Sequence, residues 1–400
     1  MNSLDGFRVL CGLPEPLLAA DAHALPPFAP EVTDFLADLS AALMKDKAAR
    51  EYPEIAAFAF FCRRANLQAM QANYDDLDCR IGRGLAFHIA PGNVPMNFAY
   101  SLVAALLAGN ASIVKAPSKS FAQVGIACTA MQTLLNGKHQ ALKSYINVIE
   151  YPRERQDLTE AFSKRCDTRI IWGGDETIRR VRQAELKPRA FDITFADRWS
   201  LAVLDTAGIL RMKERELAEL AKGFYNDTYL YDQNACTSPR LCVWLGDGDA
   251  LREAKARFWN AVHAQAATRY PLDPVAAVDK LTELYRAAVL LDGVLREATD
   301  DNLLTRIHIQ TLSPGIMDIH CTGGCFLEYD AENLTELKPV LTEKTQTIAC
   351  AGIEPEAVRA LVQYAGVKGA DRAVPVGHTM DFSLVWDGYD LIRCLSRMIS

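Results

Sequence analysis

Short β-like runs recur along this chain, each followed by a helical run, and that alternation restricts the fold more than anything else in it. LAFHIA (Leu85–Ala90), SIVK (Ser112–Lys115), YINVI (Tyr145–Ile149) and RIIW (Arg169–Trp172) carry the pattern. They lie about 25–30 residues apart, the spacing of βαβ crossovers. Helices are expected between them, over 96–109, 119–136 and 154–165, and from Asp175 onward. The prediction is an α/β protein with a mainly parallel sheet. Its first half reads as a doubly wound, nucleotide-binding lobe preceded by amphipathic helices over 31–76.

The second half continues with strands at Leu201–Asp205, Leu241–Leu245 and near 305–310, 325–329 and 346–350. Helices are expected over 211–224, 248–268, 275–299 and 354–364. Between them, Tyr225–Pro239 is polar, turn-rich and aperiodic, a long loop of the kind that often carries function. A chain of 400 residues is long for one core, so two lobes are the natural expectation.

Composition excludes several function classes. A formal net charge of −7 argues against general nucleic-acid binding, which needs a basic face. No apolar run approaches the roughly 18 residues of a spanning helix, and the amino terminus lacks a basic region followed by a long apolar one. The 11 cysteines are scattered and odd in number, as expected of reduced thiols in a cytoplasmic protein. His320-Cys321 with Cys325 lacks a second ligand pair of suitable spacing, so no metal site is expected.

Cys236 sits in DQNACTSP, unlike Cys128 and Cys242, which lie in apolar runs. A cysteine in a polar loop is often incidental, but an accessible thiolate is a strong nucleophile. The Asn234 side chain and the Cys236 N–H are candidate oxyanion donors. Pro91-Gly92-Asn93-Val94-Pro95 joins a strand to a helix, Lys115 ends the next strand, and Gly173-Gly174 closes the fourth. Such strand ends are where open α/β sheets bind ligands. Each signal alone is weak, and no G-x-G-x-x-G is present.

In order, IAPGNVP, GNASIVKAPS, IIWGGDETIRR and QNACTSP resemble the LuxC-type acyl reductase family of the aldehyde dehydrogenase superfamily, and the terminal FSLVWDGYDLI resembles that family's C-terminus. The resemblance spans roughly residues 80–395. It implies an aldehyde-dehydrogenase-like α/β fold: a variant Rossmann cofactor lobe plus an α/β catalytic lobe. The expected domains are 1–200 with the cofactor lobe, 201–365 with the nucleophile, and a tail, 366–400, returning to the first lobe. It implies Cys236 as nucleophile and Asn93 as the amide holding the substrate oxygen. Lys115 would bind the adenosine ribose, and Gly173 and Gly174 would approach the pyrophosphate beside the Pro91 turn.

Two departures from the superfamily sharpen the expectation. Where NAD-preferring members carry a glutamate three residues after the lysine, this chain has Ser118, then Lys119. A carboxylate would repel a 2′-phosphate that serine and lysine accept, so NADPH is expected. The hydrolytic members' glutamate before Gly-Gly-Lys is missing, and Asp197 is the nearest carboxylate. Without a base to activate water, a cysteine thioester persists long enough to accept hydride.

The expected function is therefore reduction of an acyl thioester, on CoA or on an acyl-carrying protein, to an aldehyde. The resemblance further implies a homo-oligomer and an acyl-protein synthetase or acyltransferase as partner. The alternatives are an oxidising aldehyde dehydrogenase, a nucleotide-independent cysteine acyltransferase or thioesterase, and a silent assembly subunit. His88 is either a satisfied core residue or an acid for the leaving thiol. Phe224, Tyr225, Tyr229 and Tyr231 line an acyl tunnel or simply pack. Glu328 and Glu343 are candidates for contacting the nicotinamide ribose.

Overall fold

The computed structural model describes residues 6–297, 299 and 301–400. The chain divides into two compact units, one formed by Met1–Ala196 with Phe382–Ser400 and the other by Asp197–Asp381.

In the first unit, β1 (Arg8–Cys11) precedes helices α1 (Pro30–Lys45), α2 (Pro53–Phe61) and α3 (Arg64–Gln71), then β2 (Arg80–Gly82). Pro30 and Pro53 stand in first turns, where a missing N–H costs nothing. Strands and helices then alternate: β3 (Leu85–Ile89), α4 (Asn97–Leu107), β4 (Ala111–Lys115), α5 (Ala122–Asn136), β5 (Ile146–Glu150), α6 (Gln156–Ser163), β6 (Thr168–Trp172), α7 (Asp175–Val181) and β7 (Phe191–Phe195). The sheet order is β1-β5-β4-β3-β6-β7, parallel except for β1. From β3 the chain winds outward through β4 to β5, then crosses to β6 on the other side of β3. That reversal opens a crevice at the carboxyl ends of β3, β4 and β6.

β3, β4 and β6 are buried at every position, which is why their sequences are mostly apolar rather than alternating. Phe87 and Ile89 join one core with Leu158 and Phe162. Ala86, Val114 and Ile170 join a larger one with Leu102 and Leu106 of α4.

The second unit comprises β8 (Trp199–Asp205), α8 (Thr206–Arg211), α9 (Glu214–Thr228), β9 (Pro239–Leu245), α10 (Gly248–Arg269), α11 (Pro274–Leu290), β10 (Leu295–Arg296), β11 (Thr305–His308), β12 (Cys325–Ala331), β13 (Thr345–Ala351), α12 (Pro355–Ala365) and β14 (Arg372–Pro375). The sheet order is β10-β11-β12-β9-β8-β13-β14, with β10 an antiparallel edge. The chain then re-enters the first unit as the hairpin β15 (Val385–Trp386) and β16 (Tyr389–Asp390), helix α13 (Leu391–Leu395) and β17 (Ser396–Met398), which pairs with β2. No described helix is long and apolar enough to cross a membrane.

Three local expectations change. The helix expected over 211–224 is broken at Met212 and Lys213, and its second part runs on to Thr228, because Tyr225, Asp227 and Thr228 are buried. The loop expected over 225–239 is correspondingly shorter. The helix expected over 275–299 stops at Leu290, and residue 298 of that stretch lies outside the described residues. β7, not expected at all, is a half-buried edge strand.

Candidate active site

Three neighbouring strand ends meet in the first unit. β3 runs into Pro91-Gly92-Asn93, β4 ends at Lys115, and β6 at Trp172 before Gly173-Gly174. They border a cavity of about 350 Å3 whose wall includes Pro91, Asn93, Lys115, Ser118, Gly173 and Gly174. Arg153, Gln156 and Thr159, Trp172, and Thr177, Arg180 and Val181 complete much of it. Lys119 does not line the cavity. Its ammonium lies 5.4 Å from the Phe121 ring centroid.

A Cβ built on Gly92 or on Gly174 meets no atom within 4 Å. Packing inside the protein therefore does not demand glycine there; bare main chain faces open space, as a close-approaching ligand requires.

The charge on this wall is one-sided: Lys115, Arg153 and Arg180 line it, and among the described residues no carboxylate does. Lys115 is 8% exposed. Burial lowers its pKa first and the nearby Arg180 charge lowers it further, while Glu154 and Glu150 oppose the shift. Its ammonium lies 5.0 Å from the Tyr151 ring centroid. The buried Nε of Arg180 has no hydrogen-bond partner among the described residues. A bound anion would satisfy that donor and relieve the repulsion between the cations. A sugar-phosphate fits this donor set.

Arg169 holds the helix that carries Arg180. It is buried on β6, and its guanidinium donates to the Val181 and Ala184 carbonyls, both at 3.0 Å, at the end of α7. Asp192 of β7 balances its charge at 2.7 and 3.1 Å. A cation on the last carbonyls of a helix is favourable on both hydrogen-bond and dipole grounds.

His88 points the other way. It is completely buried, and its Nδ1 lies 2.7 Å from Ser101 Oγ. The Trp172 indole, which can only donate, gives its N–H to the same oxygen at 3.0 Å. The Ser101 hydroxyl thus joins the two rings, and the buried His88 Nε2 has no hydrogen-bond partner among the described residues. Burial lowers the His88 pKa to about 3. The acid role open to His88 does not fit this placement: a neutral, enclosed imidazole delivers no proton. It braces Trp172, which stacks on Phe195 at 3.6 Å and walls the cavity.

Cys236 belongs to the second unit, in the turn between α9 and β9. Asp232 (φ 52°) and Gln233 (φ 56°) are both left-handed, a conformation costing a non-glycine residue about 1 kcal/mol or more. The buried Gln233 side chain offsets it. Its Nε2 donates to the carbonyls of Pro239 at 3.2 Å and Cys325 at 2.8 Å. Its Oε1 accepts from the N–H groups of Gly324 at 2.7 Å and Cys325 at 3.0 Å. Asn234 is exposed and Cys236 half-buried. Ser200 on β8 donates to the Cys236 carbonyl at 2.6 Å.

Other expectations resolve into packing. Glu328 is fully buried; its carboxylate accepts from the Trp244 and Trp259 indoles at 2.9 and 2.8 Å and pairs with Arg306 at 2.8 Å. It is committed to the core and unavailable to a ribose. Glu343 is exposed and pairs with Lys368. Phe224, Tyr225 and Tyr229 are buried among Phe258, Trp259 and Phe326. Cys321 and Cys325 are buried, and the described residues hold no cluster of metal-ligating side chains. Arg153, Arg180 and Gln233 were missed from sequence. Thr177 and Arg180 follow Gly173 at four and seven residues, a helical spacing that offered the one available signal.

The family model for acyl-CoA reductase (LuxC) matches residues 59–399. The chain belongs to the LuxC family. Its LuxC relatives include the long-chain acyl-protein thioester reductase of Photorhabdus luminescens, 24% identical over 326 residues, covering 80% of this chain and 63% of the relative. That of Vibrio harveyi is 28% identical over 320 residues, covering 79% and 63%. The match to that of Aliivibrio fischeri covers 33% of the relative, so the chain spans less than two-thirds of these relatives' lengths. Among solved structures, 1-pyrroline-5-carboxylate dehydrogenase from Thermus with bound NAD superposes with a TM-score of 0.61 at 13% identity, covering 96% of this chain and 84% of that one. A lactaldehyde dehydrogenase gives 0.62 at 13% identity, covering 90% and 82%. The fold of this LuxC chain is that of the aldehyde dehydrogenases, as expected.

Proposed function

We propose that this LuxC-family chain reduces an acyl thioester to an aldehyde, with Cys236 as acyl carrier and NADPH as reductant. The observation that carries the reading is the cation-lined, carboxylate-free cavity at the ends of β3, β4 and β6. Lys115 and the backbone at Gly92 and Gly173-Gly174 would hold the ribose and phosphates. Ser118, Arg153 and Arg180 would hold a 2′-phosphate, which a carboxylate at position 118 would repel. When bound, the cofactor supplies a hydride. The Cys236 thiolate attacks the acyl carbonyl, the donor's C–S bond breaks, and the donor leaves as a thiolate that takes its proton from water. The Asn234 side chain and the Cys236 N–H would stabilise charge on the carbonyl oxygen. After reduction the Cys236–carbon bond breaks, releasing the aldehyde and returning the thiolate. The acyl donor is a CoA thioester or an acyl-protein. The relatives' names favour the latter, delivered by an acyl-transferring partner in the cytoplasm.

A panel of acyl-CoAs with NADPH or NADH, followed by loss of nicotinamide absorbance, tests this. NADPH should be consumed faster than NADH. Cys236→Ser should bind NADPH as the wild type does and lose turnover at least about a thousandfold. Undiminished turnover in that variant would end the mechanism; absent NADPH binding would favour a nucleotide-independent acyltransferase.

A further inference from the structure

Among the described residues, Lys280 of α11 is a buried cation with no carboxylate paired to it. It is 3% exposed. Of the three N–H groups on its ammonium, one donates to the Asn302 carbonyl, and no other acceptor meets it among the described residues. Asp301, beside Asn302 in the chain, spends its carboxylate on His263 and on the Leu303 N–H, both at 2.8 Å. Burial lowers the Lys280 pKa to about 8, while Cys325, Asp301 and Cys321 oppose the shift. An ammonium held in this way is costly unless something completes its hydrogen bonds and balances its charge.

Lys280 lines a cavity of about 240 Å3 between α11 and the β10–β11 edge. Ala277, Val278, Leu281 and Leu284, on one side of α11, give it an aliphatic wall. Arg296 of β10 adds a second cation, and among the described residues no carboxylate lines the space. Val278 and Leu281 are also exposed, so the apolar wall continues to the surface. We propose that this cavity binds an aliphatic carboxylate, with its head on Lys280 and Arg296 and its tail along Ala277, Val278, Leu281 and Leu284. A carboxylate accepts from both cations in charge-assisted bonds, and the alkyl tail takes the apolar wall out of water. A phosphate would match the charges and leave the wall wet. An alcohol would cover the wall and leave the charges uncompensated.

The acid is held here as a ligand and is not turned over. The whole wall belongs to the second unit, and Cys236 is not part of it. The neighbouring segment carries Cys321 and Cys325, and Gln233 ties Cys325 to the turn that bears Cys236. With about ten heavy atoms, an eight-carbon acid should bind with a dissociation constant on the order of 100 µM.

Calorimetric titration of the full chain with octanoate tests this. Lys280→Met keeps much of the stem's volume and removes the charge. It should weaken octanoate binding at least about tenfold, because a buried charge-assisted bond is lost. Arg296→Gln, at an exposed position, should weaken it about two- to fivefold. Ala277→Phe fills the cavity and leaves both cations in place. It should abolish binding with melting unchanged, since Ala277 is only half-buried. Octanol and inorganic phosphate should each bind at least about tenfold more weakly than octanoate. NADPH should leave the octanoate affinity as it was; competition between the two would put the acid in the cofactor cavity and overturn the proposal. Equal octanoate binding by the wild type and Lys280→Met would overturn it, as would octanol binding as tightly as octanoate. If Lys280→Met fails to fold, Ala277→Phe decides, and undiminished binding in that variant would overturn the proposal. A wild type that binds no octanoate at several millimolar would do the same.

Discussion

Gln233 grips Cys325 from both sides of the same residue, donating to its carbonyl at 2.8 Å and accepting from its N–H at 3.0 Å. One buried amide thereby ties the turn that bears Cys236 to the start of β12. Gln233→Leu should strand the Gly324 N–H and take a donor from two carbonyls, at about 1–3 kcal/mol for each group left unpaired, while the Cys325 N–H keeps the Thr322 carbonyl at 3.2 Å. The expected result is a lower melting temperature together with faster alkylation of Cys236, because the left-handed pair at 232 and 233 loses its restraint. A slower alkylation rate would contradict this.

Cofactor choice should reside in the guanidinium pair. Arg180→Gln, alone or with Arg153→Gln, is expected to raise the dissociation constant for NADPH at least about tenfold, a charge-assisted bond being worth about 1.5–3 kcal/mol. Binding of NADH should change less than threefold. Fluorescence titration with both nucleotides decides it; equal losses would place these arginines on the shared pyrophosphate instead.

Acid sensitivity should be traceable to His88. Its folded pKa, about 3, lies below the ordinary imidazole value of 6.5, so the unfolded chain binds more protons between those limits. Stability from this group is complete above pH 6.5 and falls as pH drops toward 3, by up to about 1.4 kcal/mol per pH unit. Urea unfolding at pH 5 and pH 6.5 should differ by about 2 kcal/mol more in the wild type than in His88→Leu. Parallel pH profiles for the two proteins would show that His88 ionises freely.

Glu328→Leu breaks the buried pair and leaves Arg306 and both indoles without their carboxylate. The expected cost is about 3 kcal/mol or more, accompanied by red-shifted indole emission as Trp244 and Trp259 lose their shared acceptor. Unchanged emission would mean the two indoles hold their places by packing alone.

The parts of the site legible in the sequence were those that local chain geometry fixes. Ile89, Lys115 and Trp172 each close a short, mostly apolar run and are followed by Pro or Gly within two residues, so the strand ends could be located without knowing the fold. Arg153 and Arg180 gain meaning only once the crossover brings α7 over the end of β6. Gln233 reads as one more solvated residue in a polar loop, because its partners lie some ninety residues away on β12. Tyr225–Thr228 misled for a related reason. Tyr, Asn, Asp and Thr are weak helix formers, and burial of Tyr225 and Thr228 overrides that preference. β7 was hidden because FDITF mixes Asp and Thr into an edge strand, where one face needs no apolar side chain.

The pairing of β17 with β2 has a consequence for biosynthesis. The first unit is assembled from both ends of the chain, whereas every strand of the second lies between Asp197 and Asp381. On the ribosome the second unit can complete its sheet while the first still awaits its last strand. Removing the residues after Asp381 should leave a cooperative fold around Cys236 and expose the edge of β2 to proteolysis.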